Sequence, residues 1–444
     1  MVPESDQSLS AGDTLENEPV IATTRDLIRM DTTNYGRGKS NGEAEAAEYI
    51  ADRLKALDLD VTMLESEPER VSLVTRISGA NPEKPALVVH GHTDVVPADP
   101  ADWSVDPFSA EIRDGCIWGR GAVDMKDMDA MILTSLEDII RSGRRPERDL
   151  IVAFFADEED SGHLGSRYVV DNRPDLFEGA TEAISEVGGY SVNIGDKRAY
   201  LLQTGEKALM WLTLRVKRPA GHGSRLVPAE NNAISVLAGA IARLVEHEWP
   251  VRLNETTEQM VDALSQLLGM DGSDPHAVAT KSGKAAGFLT ASLRTTVNPT
   301  MLNAGYKHNV IPETASVAID VRPFPDEEDA VLAEIQRIVG DDIEIETNSR
   351  DVGTRAPVDS PLTQTATSIL ERHDPGAQVV PYFLSAGTDN KALSRLGING
   401  YGFVPLKLPA DMDFPAMFHG VDERVPLESL VFGKQVLTDF LLEY

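Results

Sequence analysis

Apolar and polar positions along this chain keep two different rhythms, and the change from one to the other divides it into elements. Val20, Ile21, Leu27 and Ile28, and then Ala47, Ile50, Leu54 and Leu57, recur at helical spacing and predict helices from residue 20 and over 43–57. Short β-type runs follow at 61–64, 72–77 and 86–89. A helix followed by strands is an α/β opening. The same style continues through a helix over 128–140 and apolar strands over 149–155 and 182–187.

After Gln203 the character changes. Residues 209–216 alternate as a strand, 231–245 form a long amphipathic helix, strands lie near 288–296 and 315–321, and a helix over 326–339 precedes a strand over 343–347. These predict a separate insert over 206–350. Residues 255–287 are helical and then rich in Gly, Ser and Lys, and read as an embellishment of a lid. From 361 the first style returns, with a helix to 372, a strand over 379–384, a further helix, a strand over 402–404 and a terminal helix over 425–442. The expectation is one discontinuous domain, 20–205 with 351–444, interrupted by the smaller insert.

Composition narrows the partners. The 444 residues suffice for two domains, and 41% hydrophobic content suffices for real cores. Lys and Arg total 41 against 72 Asp and Glu, a net charge of −31. Such a charge repels nucleic acid phosphates and anionic lipid, so no nucleic acid and no membrane is expected as partner. It suits a protein that concentrates metal cations in an acidic cleft, and equally one whose acidic surface serves solubility. Cys116 is the single cysteine, which excludes an internal disulfide and a cysteine-based zinc cluster. Residues 1–19 are acidic and polar without an apolar core, and read as a disordered tail rather than a signal or anchor. No run approaches the roughly 18 apolar residues of a membrane helix. A soluble, cytoplasmic protein is expected.

The chemistry gathers where apolar strands end. Val88-Val-His-Gly-His-Thr-Asp-Val-Val-Pro97 passes from a buried strand to His90, His92 and Asp94 before Pro97 stops it. Residues two apart in extended chain share a face, so His92 and Asp94 suit a metal ligand and the carboxylate that orients it, or a ligand and its reacting partner. Gly119 and Gly121 are spaced like a nucleotide-binding loop, but Asp124 stands at the third glycine's place and would repel pyrophosphate. Glycines around it instead let a tight turn project that carboxylate into a cleft. Asp157-Glu-Glu-Asp160 ends another strand, and four consecutive acids repel one another unless they are solvated or hold a cation. Glu186 repeats the form before Gly188-Gly189, and His419 stands in a loop near the C-terminus. Two zinc-type ions sharing one bridging carboxylate need five protein ligands and one further carboxylate to take a proton from water. His92, Asp124, Glu158, Glu159, Glu186 and His419 match that inventory without assigning the roles.

Taken together, the motifs resemble those of the M20 metallopeptidases and amidohydrolases, which include carboxypeptidases, aminoacylases, acetylornithine deacetylase and succinyl-diaminopimelate desuccinylase. The resemblance rests on His90-Gly-His-Thr-Asp-Val-Val-Pro97, Gly119-Arg-Gly-Ala-Val-Asp-Met-Lys126, Asp157-Glu-Glu159, Ser185-Glu-Val-Gly-Gly189, Gly221-His-Gly-Ser224, Asn309-Val-Ile-Pro312, Asp320-Val-Arg322, Gly387-Thr-Asp389 and His419-Gly-Val-Asp-Glu423. These occur in the family's order and cover the chain from about residue 20 to its end. The resemblance implies a di-zinc aminopeptidase-like catalytic domain, a mixed sheet with helices on both faces, interrupted by an α+β lid and dimerisation domain.

Carried over by position, the resemblance implies two Zn2+ per chain, with Co2+ or Mn2+ as substitutes. His92 and Glu186 would bind one ion, Glu159 and His419 the other, with Asp124 bridging and a cis peptide after Asp124. Glu158 would be general base and later acid, and Asp94 would hold His92 in its tautomer. His222 would stabilise the oxyanion from a partner subunit's lid, Arg322 and Asn309 would grip a substrate carboxylate, and Gly387, Thr388 and Asp389 would contact substrate. Asp389 reads equally as a helix N-cap, His222 as a turn residue and Arg322 as a structural ion pair. The implied activity is hydrolysis of an amide next to a free carboxylate, in a small peptide or N-acyl amino acid, by a homodimer joined through the lid. The alternatives are a catalytically silent relative that binds a ligand or partner, or a dipeptidase or aminopeptidase type of specificity. Asp127 departs from the family's usual glycine, and Glu186 leans towards the carboxypeptidase- and acylase-like members.

Overall fold

Two larger sheets organise the chain, and the way each is buried follows from its residues. The structure is a computed structural model and describes residues 15–444. In chain order the strands are β1 (Val61–Glu67), β2 (Arg70–Ile77), β3 (Ala86–His92), β4 (Leu150–Phe155), β5 (Ala180–Ser185), β6 (Ser191–Ile194), β7 (Lys197–Glu206), β8 (Leu209–Lys217), β9 (Thr296–Ala304), β10 (Thr314–Arg322), β11 (Glu344–Asp351), β12 (Thr354–Arg355), β13 (Gln378–Leu384) and β14 (Asn399–Gly402).

The first sheet runs β6-β7-β14-β5-β3-β4-β2-β1, with β12 and β13 also paired to β7. It is mixed: β3 is parallel to β4 and β5, and β5 to β14, while β2 is antiparallel to β1 and β4. Both β3 and β4 are buried along their whole length. Leu87, Val89, Val152 and Phe154 join a core under helices that include Pro19–Arg29, Lys126–Arg141 and Leu427–Glu443. Val88, Ile151, Ala153 and Phe155 face the opposite way, against Val169, Phe177, Ala392 and Leu393. Unbroken apolar runs are what strands covered on both faces require, so the α/β class and the helices on both faces are as expected. Parallel neighbours also end together, which brings the residues after β3, β4 and β5 to one edge.

The second sheet, β9-β10-β8-β11, is antiparallel throughout. Alternate residues of β8 and β10, among them Leu212, Leu214, Val317 and Ile319, meet helices Ala233–Glu246 and Glu328–Val339 in a core of their own. The other face carries no helix of that cluster.

Three expectations change. Helix Glu255–Leu268 and the turns after it do not embellish the second sheet: Met260, Leu264, Val278 and Leu289 belong to the first core, and the helix lies against β13. An apolar stripe of that length needs a large partner surface, and β7 and β13 provide it. The strand expected near 288–296 is the short helix Ala286–Ala291 followed by β9, an apolar run too short for periodicity to decide. Most of the tail expected over 1–19 lies outside the described residues, but Leu15 packs against the first core and a helix starts at Pro19, a residue suited to a first turn. Strands β6 and β7 stand where none was predicted.

Candidate metal centre

Side chains that are far apart in sequence converge at the edge where the parallel strands end. β3 finishes on His92, and Glu186 follows β5 directly. After β4 the left-handed backbone of Asp157, φ 64°, turns the chain into the one-turn helix Glu158–Asp160. Asp124 precedes helix Lys126–Arg141, and the Asp124-Met125 peptide is cis, as the resemblance implies. His419 enters from the C-terminal loop with φ 58°.

Asp124 is the hub of the group. Its Oδ1 lies 3.1 Å from His92 Nε2 and its Oδ2 lies 3.3 Å from His419 Nε2. His92 Nε2 is also 3.6 Å from Glu186 Oε2, and His419 Nε2 is 3.1 Å from Glu159 Oε2. Each imidazole therefore faces one oxygen of the shared carboxylate and one carboxylate of its own. Glu158 stands with His92 and Glu186, their nearest polar atoms within 4.8 Å of one another. Had the chain stayed extended past β4, Glu158 and Glu159 would point oppositely. They occupy a tight turn instead, because β4 ends at Phe155, and the turn still sends them to different histidines.

Asp94 stands behind the group and ties it together. His92 Nδ1 lies 3.0 Å from its backbone oxygen and 3.5 Å from its Oδ1. The same carboxylate accepts from the backbone N–H groups of Glu158 at 3.1 Å and Glu159 at 3.2 Å, and from Asn34 Nδ2 at 2.9 Å. Beneath Asp124, buried Glu423 accepts from the N–H groups of Gly121, Val123 and Asp124 and pairs with Arg120 at 2.7 Å. Arg70 joins Glu43 at 2.9 Å to Asp157 at 2.7 Å. Asn34 and Arg70 were missed in the sequence, and Glu423 was seen only as part of a motif.

The electrostatics of this arrangement call for cations. Burial, with Glu186 adding to it, pushes the Glu158 carboxyl well above its ordinary value, and burial takes Glu186 up to about 8. Burial would also raise Asp124, but the hydrogen bonds from His419 and His92 hold it well below. Hydrogen bonds to Asp124 and Glu159 push the His419 imidazole up to about 10. Glu159 Oε1 is buried without a partner. Four carboxylates around two imidazoles, one with an orphaned oxygen, form a donor set that lacks positive charge. Two divalent cations that share Asp124 fit it.

The comparisons with known proteins agree with that chemistry. The sequence model of peptidase family M20/M25/M40 matches residues 88–443. The chain belongs to this family. Among relatives of this M20 chain, an N-fatty-acyl-amino acid synthase/hydrolase of Xenopus tropicalis is 29% identical over 450 residues, covering 96% of this chain and 85% of the relative. Human aminoacylase-1 is 26% identical over 442 residues, covering 96% and 95%. An M20 family metallo-carboxypeptidase of Sulfolobus solfataricus has the same fold, with a TM-score of 0.73 at 19% identity over 96% of this chain and 98% of that one. The protein is an M20-family metal-dependent amide hydrolase.

A cavity of about 260 Å³ opens from the centre of this M20 chain, with Glu158, Glu159 and His419 at one end and Arg322, Gly387, Thr388 and Asp389 along its wall. Arg322 donates to both oxygens of Asp320, at 2.7 and 3.0 Å. Buried Glu206 accepts from the N–H of Thr388 at 3.1 Å and its hydroxyl at 2.6 Å. Asp389 does not cap the helix after it; its carboxylate accepts from Ser166 Oγ, and burial pushes it up to about 7. His222 and Asn309 meet each other and not the centre. They lie on a short ladder where His222 pairs with Val310 and the Gly223 N–H donates to the Asn309 carbonyl at 2.9 Å. His222 is exposed, and neither residue lines the cavity. Among the described residues no helix is long and apolar enough to cross a membrane.

Proposed function

We propose that the chain hydrolyses an amide adjacent to a free carboxylate, in an N-acyl amino acid or a small peptide. The observation that carries the reading is the shared carboxylate, one oxygen towards His92 and the other towards His419. His92 and Glu186 would hold one ion and His419 and Glu159 the other, with Asp124 common to both. The mixed imidazole and carboxylate set suits zinc, with cobalt or manganese as substitutes. When bound, the ions would polarise the amide carbonyl and make water a stronger acid.

The chain's own groups do the rest. Glu158 is the general base: it forms part of the cavity wall, whereas His92, Asp124 and Glu186 do not, and burial gives its carboxyl a strong affinity for a proton. It takes a proton from the attacking water as the water oxygen bonds to the carbonyl carbon. It returns that proton to the leaving nitrogen as the C–N bond breaks, leaving an acid and an amine. Asp94 keeps His92 and the backbone of Glu158 and Glu159 in register. Arg322 and Asn309 grip the substrate carboxylate, Gly387, Thr388 and Asp389 shape the wall, and His222 donates to the developing oxyanion. The fatty-acyl-amino acid hydrolase and aminoacylase relatives support this substrate class.

His222 and Asn309 stand apart from the cavity of their own chain, so we assign them to the site of a second copy, with the second sheet as lid and dimerisation body. Its edge strand β9 leaves Met301 and Leu302 exposed, with Tyr306 just beyond, which supports a strand-edge contact between copies. The test is metal analysis of the purified protein with assays on a panel of N-acyl amino acids, their C-terminal carboxamides and dipeptides. About two ions per chain, activity lost to chelator and restored by zinc, cobalt or manganese, and a preference for the free carboxylate are expected. Full hydrolysis after exhaustive metal removal would overturn the metal assignment, and indifference to the carboxylate would overturn the substrate class.

A further inference from the structure

Of the basic side chains along the cavity wall, one keeps its hydrogen-bond donors unused. Besides His419 of the centre, three basic side chains line the cavity: Arg167, Arg322 and Lys391. Arg167 is paired with Asp351 at 2.6 Å, and Arg322 with both oxygens of Asp320. Lys391 has no such partner. It lies in helix Asn390–Ser394, only 5% of it is exposed, and among the described residues its ammonium makes no hydrogen bond or ion pair. Two acids attract it through space, Glu206 and Asp351; Asp351 is ion-paired with Arg167, whereas Glu206, hydrogen-bonded by the neutral Thr388, faces Lys391 with its charge but makes no hydrogen bond to it.

Gly387 makes room for this ammonium. A β-carbon at Gly387 would fall 2.8 Å from Lys391 Nζ and 2.9 Å from its Cε, so any other residue there would push the lysine off its seat. A buried ammonium that donates no hydrogen bond is costly, and the cost falls when an acceptor enters beside it. A cationic group at the cavity wall with its N–H donors unused suits a carboxylate.

We propose that Lys391 is a specificity-determining residue, whose ammonium, seated over Gly387, receives the free carboxylate of the substrate. This rests on the proposed function and adds a second donor for the carboxylate on the chain that carries Glu158. Arg322 spends its Nε edge on Asp320 and keeps its Nη1 edge, so it shares the carboxylate with Lys391. Gly387 acts as a positioning residue.

The experiment compares kcat/KM for the fastest N-acyl-L-amino acid of the panel and for its C-terminal carboxamide, on metal-loaded enzyme, in wild type, Lys391→Met, Lys391→Arg, Gly387→Ala and Arg322→Met. Lys391→Met should lower kcat/KM for the carboxylate substrate by roughly 10–10²-fold, the magnitude of a hydrogen bond to a charged group, with the change in KM. The ratio between the two substrates, which a merely structural loss leaves standing, should collapse. Lys391→Arg should restore part of that ratio, and Gly387→Ala should erode it while the lysine remains. If Lys391→Met keeps the wild-type ratio and Arg322→Met loses it, the carboxylate is read by Arg322 and the proposal falls while the proposed function stands. If wild type itself shows no preference for the carboxylate, the proposed function falls first. Should Lys391→Met fail to fold, wild type decides: acetylation of Lys391 by acetic anhydride, mapped by mass spectrometry, should be slowed by the free amino acid product and not by its amide. Equal protection by both, or by neither, overturns the proposal.

Discussion

Glu158 and Glu159 are adjacent in the chain, yet the turn that carries them gives one to the cavity wall and the other to His419. That separation makes their substitutions distinguishable. Glu158→Gln keeps the shape and removes the proposed base, so turnover should fall by roughly 10²–10⁴ or more while metal content and substrate KM hold. His419→Ala instead removes a donor that touches Asp124 and Glu159, and should lower metal occupancy measured by atomic emission. A Glu158→Gln enzyme with near-normal turnover would leave the base unassigned. Four residues of the centre, His92, Glu158, Glu159 and Glu186, were legible because acids and histidines stand where apolar strands end, whereas Asp124 and His419, in a turn and a loop, stood out by residue type and motif. Glu423, Asn34 and Arg70 were not, since a buried acid that gathers three backbone N–H groups declares itself only once the loop has folded around it. Lys391 was missed for a similar reason: its charge is unremarkable in sequence, and only the closed loop at Gly387 removes it from water.

At the scale of elements, the strands of the first sheet were legible where both faces bury apolar residues, as in β3 and β4, and illegible where polar residues dilute the run. In β7, Lys197, Arg198, Gln203 and Thr204 surround the buried Tyr200, Leu201 and Leu202, and the strand is fixed by its parallel pairing to β13, which no local pattern encodes. The passage from β7 to β8 is held by Lys207, whose ammonium donates to the carbonyls of Ala291 and Arg294 and so fastens the crossing to the segment before β9. Burial pushes that ammonium from 10.5 down to about 7. Below pH 7 the folded and unfolded chains both hold the proton. Between about pH 7 and 10.5 the unfolded chain binds a proton that the folded chain has released, so stability rises with pH, by at most about 1.4 kcal/mol per unit. Lys207→Met should remove this rise, and urea unfolding of both proteins from pH 7.5 to 9.5 measures the difference in slope. Parallel slopes would mean that the folded chain keeps the proton, with the two carbonyls holding the charged form.

For the whole molecule, the question is which chain completes the site. Glu158, the metal donors and Lys391 belong to one edge of the first sheet and its cavity, whereas His222 and Asn309 are exposed on a ladder that lines no part of it. On the proposed roles, a chain taken alone would have base and ligands but no His222 donor at the oxyanion, and loss of one such donor costs roughly 10²–10³ in turnover. In the proposed dimer, two copies joined through the second sheet would supply it reciprocally, as a two-fold interface requires. His222→Ala and Glu158→Gln chains are then each nearly inactive, for different reasons. Mixed and allowed to exchange, they should form dimers in which one site combines an intact Glu158 with an intact His222 from the neighbour, while the other site has neither. With equal amounts and random pairing, half the dimers are mixed and one of their two sites works, so about a quarter of wild-type activity should return. Subunit exchange is checked separately, by mass spectrometry of differently tagged chains. Silence after proven exchange would mean that His222 reaches the cavity of its own chain by closure of the second sheet, or that the oxyanion is stabilised without it.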